Sequence, residues 1–278
     1  MIKQLLGLAL CFCLLGAAPQ ARAQTDAATA EAILREAGVW DLFTDIPDQM
    51  RANYLLEWSR AGKPSSSREL SRTLRAMEAA FATERMQEAV KSAVVKSLET
   101  KHLSALRGWF GSVAGKELVA CEAQARALSV EARTERLRVD PLKDLPLERM
   151  AVFEQMVWLT RSADIAVQTE INVAVAIHEG ASSVQAIKPP LTGDAIRKAL
   201  EARRTQNLLR ITELVMRSNA LVYAAVSTEN LNAFVDFLKS DAAQHLQQII
   251  HQALEAAMLE AATEFGRQLP GTLDRANA

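Results

Sequence analysis

From Arg68 to Leu98, apolar residues recur at Leu70, Leu74, Met77 and Phe81, the i, i+4, i+7, i+11 spacing of one buried helix face. Ahead of them, Ser66-Ser67-Arg68-Glu69 has capping-box spacing, in which serine and glutamate each satisfy a backbone N–H that the first helical turn leaves without a partner. A second stripe, Leu231, Phe234, Phe237 and Leu238, continues through Leu246, Ile249, Ile250 and Leu254 towards Phe265. Strand-like alternation is missing, and the β-branched residues are scattered among alanines. The pattern predicts an all-α fold.

Breaks in the pattern set the element boundaries. Asp45-Ile46-Pro47 reads as a helix start, with proline near the first-turn position its ring favours. Gly62-Lys63-Pro64-Ser65 and Lys188-Pro189-Pro190-Leu191-Thr192-Gly193-Asp194 read as loops, the second with Thr192 or Asp194 capping the helix that follows. Pro141 and Pro146 interrupt the middle of the chain, since neither is tolerated in a helix interior. Pro270 to Ala278 reads as a frayed tail.

The amino terminus changes what counts as the working protein. Lys3 gives a positive start, Leu5 to Ala18 an apolar run, and Ala21-Arg22-Ala23 the small-x-small pattern of a signal-peptidase site. The run is shorter than the roughly 20 residues of a bilayer-spanning helix. Residues 1–23 are therefore expected to be a cleaved signal peptide, cut after Ala23, and the protein to work in the periplasm. Loss of Lys3 and Arg22 takes the 32 basic residues to 30 against 33 acidic ones, a formal charge of −3. That balance argues against a nucleic-acid partner, which calls for a concentrated basic face, and no later segment reaches membrane-spanning length. Cys11 and Cys13 leave with the signal, so Cys121 is expected to be a lone small hydrophobe without a disulfide.

The body of the chain repeats itself. The proline loops at Lys63-Pro64 and Lys188-Pro189 are 125 residues apart, and the same offset sets Leu34, Leu42, Ile46 and Met50 against Leu159, Val167, Ile171 and Val175. Further on the offset is 128 and sets Thr100–Leu118 against Thr228–Leu246. Six of these nineteen positions are identical: Thr100/Thr228, Leu103/Leu231, Ala105/Ala233, Ser112/Ser240, Ala114/Ala242 and Leu118/Leu246. Trp109/Phe237, Phe110/Leu238 and Gly115/Ala243 match in character. The expectation is two helical repeats, 24–139 and 140–269, around a shared core. Ser-x-x-Gly/Ala reads as a corner, the serine capping a new helix and the small residue letting two helices approach. Trp109, Phe110, Gly115, Phe237 and Leu238 then lie where the repeats meet, either as ordinary core or as an aromatic groove for an apolar ligand or a partner's helix.

Two features of each unit, the short helix Ile33-Leu34-Arg35-Glu36-Ala37-Gly38 and a threonine-led helix running through aromatics into Ser-x-x-Gly, resemble the DUF2059 type of exported bacterial domain. That family's late motif commonly reads Ser-Pro-x-Gly. Ser112-Val113-Ala114-Gly115 keeps the serine and glycine without the proline, and Ser240-Asp241-Ala242-Ala243 keeps only the serine. The resemblance implies a periplasmic helical protein of the Gram-negative envelope, and it transfers no catalytic residue.

Chemical motifs are sparse. His245 and His251 are six apart, which places them about 120° apart around a helix and about 9 Å along it, too far to chelate one ion. His178-Glu179-Gly180 lacks the second histidine of a metalloprotease helix, and His251 with Glu255 reads as a solvated i, i+4 pair. No nucleophile elbow, phosphate loop or dinucleotide fingerprint occurs. Glu31/Arg35, and Glu201 beside Arg204, read as surface pairs. No catalytic residue, metal or cofactor is expected. The sequence favours a non-enzymatic protein that binds an envelope protein or an apolar ligand. Beside it stand an enzyme with a site assembled from distant residues and a carrier of lipid or another apolar molecule.

Overall fold

The computed structural model describes residues 25–62, 64, 67–184 and 192–269. The expected signal peptide, most of the second proline loop and the expected tail lie outside them. The described residues form thirteen α-helices and one 3-10 turn, with no strand. The fold is all-α.

Helices α1 (Ala27–Glu36) and α2 (Val39–Arg60) meet at Gly38, whose φ of 67° is the left-handed turn the Leu-x-x-x-Gly spacing requires. Pro47 does not start a helix, as its position suggested, but sits inside α2. A proline there leaves the carbonyl of Phe43 without its intrahelical donor. The Thr83 hydroxyl replaces that donor, reaching Phe43 O at 3.3 Å. Helix α3 (Arg68–Ala80) is capped by Ser67, not Ser66, and its oxygen accepts from Leu70 N at 3.0 Å. The stripe from Arg68 to Leu98 is two helices, because the chain breaks at Phe81-Ala82 before α4 (Thr83–Ser97). Thr73 and Ala76 take core places on α3, and Leu74 is half-buried.

A 3-10 turn (Thr100–His102) leads into α5 (Leu103–Gly111), α6 (Val113–Arg126) and α7 (Val130–Arg138). After the expected proline-rich break come α8 (Leu147–Thr160), α9 (Ser162–Val184), α10 (Gly193–Glu201, capped by Thr192), α11 (Arg204–Val222), α12 (Thr228–Leu238) and α13 (Asp241–Arg267). The two serine corners have the same chemistry. Ser112 Oγ accepts from Gly115 N at 3.0 Å, and Ser240 Oγ accepts from Ala243 N at 3.2 Å. Ser112→Ala and Ser240→Ala are each expected to cost about 1 kcal/mol in urea denaturation, the ordinary worth of an N-cap.

The apolar core falls into two clusters, and each joins residues far apart in the chain. In the first, Ile33, Phe43, Phe81 and Met86 close on Ile250, Ala261 and Phe265 of α13. In the second, Phe153, Val167, Ile211 and Leu231 close on Leu118 of α6. Helix α13 lies along α9 at backbone contact. A Cβ added at Gly180 would stand 2.1 Å from Thr263 O, and one added at Gly266 would stand 2.1 Å from Ile177 O. Nothing comparable joins α2 to α6 and α7, which touch it at few points. The chain between them breaks at Ser129, whose oxygen caps α7 through Ala132 N. Among the described residues no helix is long and apolar enough to cross a membrane.

Candidate functional site

Where α6 and α7 stand away from α2, a cavity of about 1130 Å³ opens between α2, α6, α7 and α11 and runs to the corner helices α5 and α12. This exceeds the usual range of small-molecule sites, about 300–1,000 Å³. All five residues singled out at the expected repeat junction, Trp109, Phe110, Gly115, Phe237 and Leu238, lie on its wall. Trp109 and Phe237 stack with ring centroids 4.8 Å apart and planes 9° from parallel. Phe234 extends the stack, 5.8 Å from Trp109, and Phe110 meets Phe237 edge-on at 5.6 Å. These rings are half-buried, while Leu238 belongs to the second core cluster. Gly115 is required by the packing of the corner. A Cβ there would lie 2.2 Å from Trp109 O, so only glycine lets α6 turn so closely past the end of α5.

Much of the remaining lining is charged. Seven arginines line the cavity (Arg60, Arg126, Arg133, Arg136, Arg138, Arg210 and Arg217) against three glutamates (Glu122, Glu170 and Glu213). Four lining side chains carry a buried atom without a hydrogen-bond partner: Arg126 Nη2, Arg217 Nε, Asn219 Nδ2 and Gln247 Oε1. Three of the four are donors. Buried polar groups are nearly always satisfied, and an orphaned one costs about 1–3 kcal/mol. A cluster of unmet donors beside an apolar wall suits a ligand that brings acceptors.

Glu122 anchors this part of the lining to α11, its Oε1 accepting from the Tyr223 hydroxyl at 2.5 Å. Burial pushes the Glu122 carboxyl above its ordinary pKa, against the opposing pull of Tyr223 and Arg126. Burial likewise raises Glu170, opposed by Arg210. A carboxyl raised in this way holds its proton longer in the folded chain than in the unfolded one. Its effect on stability is therefore most favourable below the ordinary carboxylate range and is lost as pH rises to the raised value. Glu122→Gln, which still accepts from Tyr223, is expected to flatten this decline and to be the more stable protein near pH 7. Urea denaturation from about pH 4 to 8 measures it.

The remaining candidates fall elsewhere. Cys121 is a free, half-buried thiol beside the second cluster, and burial, followed by Glu117 and Glu122, pushes its pKa up, away from the nucleophilic thiolate. His178 is buried with Ser182 Oγ 3.2 Å from its Nε2. His251 and Glu255 are half-buried, where the sequence suggested a solvated pair, and Glu255 Oε1 accepts from Asn172 at 2.8 Å. Arg35 donates to Glu31 as expected of a surface pair. Among its described lining residues the cavity has no histidine or cysteine.

Sequence reading missed the orphaned donors, since arginines on amphipathic helices look like solvated surface until two helices fail to close over them. It also missed one cluster of ligating groups. His102 and His245, 143 positions apart, come together with ring centroids 5.0 Å apart, and Glu99 joins them. Spacing along one helix does not reveal such a pair. The 128-residue offset holds the signal, because it sets His102 against Asn230 and His245 against Glu117, and Asn230 and Glu117 are themselves hydrogen-bonded at 2.5 Å.

Fold and cavity together define an all-helical protein with an amphipathic hollow lined by an aromatic stack and by arginines. No protein-family model, no curated protein and no solved structure matches the chain.

Proposed function

We propose that the protein binds, without chemical conversion, one long apolar molecule bearing an anionic head, in the periplasm. The apolar chain lies along the Trp109–Phe237 stack, and the head meets the unmet donors of Arg126, Arg217 and Asn219. The observation that carries this reading is the coincidence of a cavity of about 1130 Å³ with those orphaned donors. An aromatic groove for a protein helix is less well matched, since a helix could meet buried arginines only with acidic or amide side chains or its last carbonyls, not along its paired backbone. The periplasmic setting rests on the amino-terminal pattern and on the resemblance to exported bacterial domains.

The binding unit is, on this reading, a duplicated one. The offsets of 125 and 128 pair α1 with α8, α2 with α9, α3 with α10, α5 with α12 and α6 with the start of α13. Trp109 and Phe237 are equivalents that touch each other. The contact of His102 with His245 becomes, with the copies exchanged, that of Asn230 with Glu117. Self-contact of equivalents and exchange of reciprocal contacts are what a two-fold relation between copies produces, and both support the duplication.

Titration of the chain lacking residues 1–23 with hexadecanoate tests the function. Calorimetry and tryptophan emission are expected to give one site with a Kd of about 10 μM or below, roughly −7 kcal/mol. Hexadecane-chain alcohol is expected to bind more weakly. Equal affinity for the two would remove the anionic head from the proposal, and no binding of either would remove the ligand.

A further inference from the structure

We infer that Glu99, His102 and His245 form a binding site for one divalent transition-metal ion of the zinc class, joining the start of α5 to the start of α13. One ligand atom from each residue lies within 4.8 Å of the others. Donors around a tetrahedral zinc stand about 3.3 Å apart, given bonds of about 2.0–2.1 Å, so the set needs a closing of up to about 1.5 Å. Side-chain rotation supplies that.

Local structure explains why these groups converge. The backbone between Glu99 and His102 is a 3-10 turn, with His102 N donating to Glu99 O at 3.0 Å, and in such a turn side chains three apart lie one above the other. His245 stands early in α13, behind the Ser240 cap, and α12, which leads into that cap, is held against α5 by the Trp109–Phe237 stack. Neighbouring groups hold each ligand in place. His245 Nε2 donates to Ser97 O at 2.9 Å, which leaves Nδ1 as that ring's nitrogen for an ion, and Lys101 Nζ donates to one Glu99 oxygen at 2.9 Å while the other lies 3.9 Å from His245 Nε2. Such outer partners are what orient metal ligands in general. Glu99 and His102 are buried, and the His245 side chain is 23% exposed, which leaves the ion a way in.

The other corner gives the contrast. The positions that the 128-residue offset sets against Glu99, His102 and His245 are Ser227, Asn230 and Glu117, and there Asn230 and Glu117 close on each other directly. That corner needs nothing between its side chains. Two imidazoles and a carboxylate at the same place form a nitrogen-rich set that suits zinc, copper or nickel better than calcium or magnesium. Three protein ligands leave one coordination position for water.

The test uses the chain lacking residues 1–23, stripped with chelator and dialysed. Titration with Zn²⁺ against a chromophoric competitor is expected to give one ion per chain, and Co²⁺ is expected to give the visible absorption of a four-coordinate site. Loss of an orienting partner alone commonly weakens a metal site 10–100-fold, so His102→Gln and His245→Gln are each expected to weaken Zn²⁺ binding about a hundredfold or more. Asn230→Ala, at the matched corner, is expected to leave it unchanged. Circular dichroism establishes that the variants remain helical; should His102→Gln fail to fold, Glu99→Gln provides the same comparison. Absence of stoichiometric binding, or binding that survives both histidine changes, overturns the assignment.

Discussion

Gly180→Ala is expected to destabilise the protein by about 3 kcal/mol or more, and Gly266→Ala by a similar amount. The added methyl at either position meets backbone, not a side chain that can swing away: Thr263 O at 2.1 Å in one case and Ile177 O at 2.1 Å in the other. Helices α9 and α13 must separate to admit it. Both are long, and they carry between them Val173, Ala176, Ile249 and Ala261 of the first core cluster, so the separation loosens contacts along their whole length. Urea denaturation measures the effect as a lowered midpoint at unchanged slope. Gly108→Ala is the control, because a Cβ there meets nothing within 4 Å and the residue lies in the interior of α5. That change is expected to stabilise by about 0.5–1 kcal/mol.

On the proposed duplication, the same pair of glycines bears on the cavity. Carried forward, the offsets set Gly180 against Leu55 and Gly266 against Arg138. Both counterparts are exposed, and neither permits backbone contact between helices. Helix α13 therefore runs unbroken for 27 residues along α9, whereas the counterpart stretch is cut into α6 and α7 at Ser129 and stands off α2. On the proposed duplication, one copy closes and the other opens a ligand site.

The second large effect concerns the ligand head. Arg126→Ala and Arg217→Ala are each expected to weaken hexadecanoate binding by about ten- to a hundredfold, the worth of a charge-assisted hydrogen bond of roughly 1.5–3 kcal/mol. Neither change is expected to alter binding of the corresponding alcohol by more than about threefold, which separates loss of the head contact from general damage to the fold. Arg217 also donates to Leu137 O, tying α7 to α11, so Arg217→Ala is expected to lower stability as well. Arg126 makes a long, 3.9 Å ion pair with Glu122 and lies in the field of Asp45 without a backbone tie like that of Arg217, so its replacement is the cleaner test.

Much of this architecture is legible in the sequence. Helical spacing specifies the all-α class, Gly38 the first turn, Ser112 and Ser240 the two corners, and Pro141 and Pro146 the break before α8. Local patterns specify such features because capping, φ > 0 and a missing N–H act within a few residues. Pro47 misleads, because the group that makes it tolerable in a helix, Thr83, lies 36 residues away. The aromatic residues are singled out by the proposed repeat, and the structure places all five candidates in the lining of one cavity. The arginines of that lining are not recognisable, since whether a helix face is solvated or enclosed depends on how closely the next helix approaches. The Glu99–His102–His245 cluster is hidden for a related reason: its members are adjacent only across the contact between α5 and α13.

Native mass spectrometry of the chain lacking residues 1–23, purified without detergent, measures the proposed binding most directly. The expected spectrum shows a one-to-one adduct of an apolar anion, or its stoichiometric formation on adding hexadecanoate. Ala125→Trp, which puts an indole into the cavity, is expected to abolish that adduct while the chain stays folded. A protein that remains bare with hexadecanoate present, or an adduct that persists undiminished in Ala125→Trp, contradicts it.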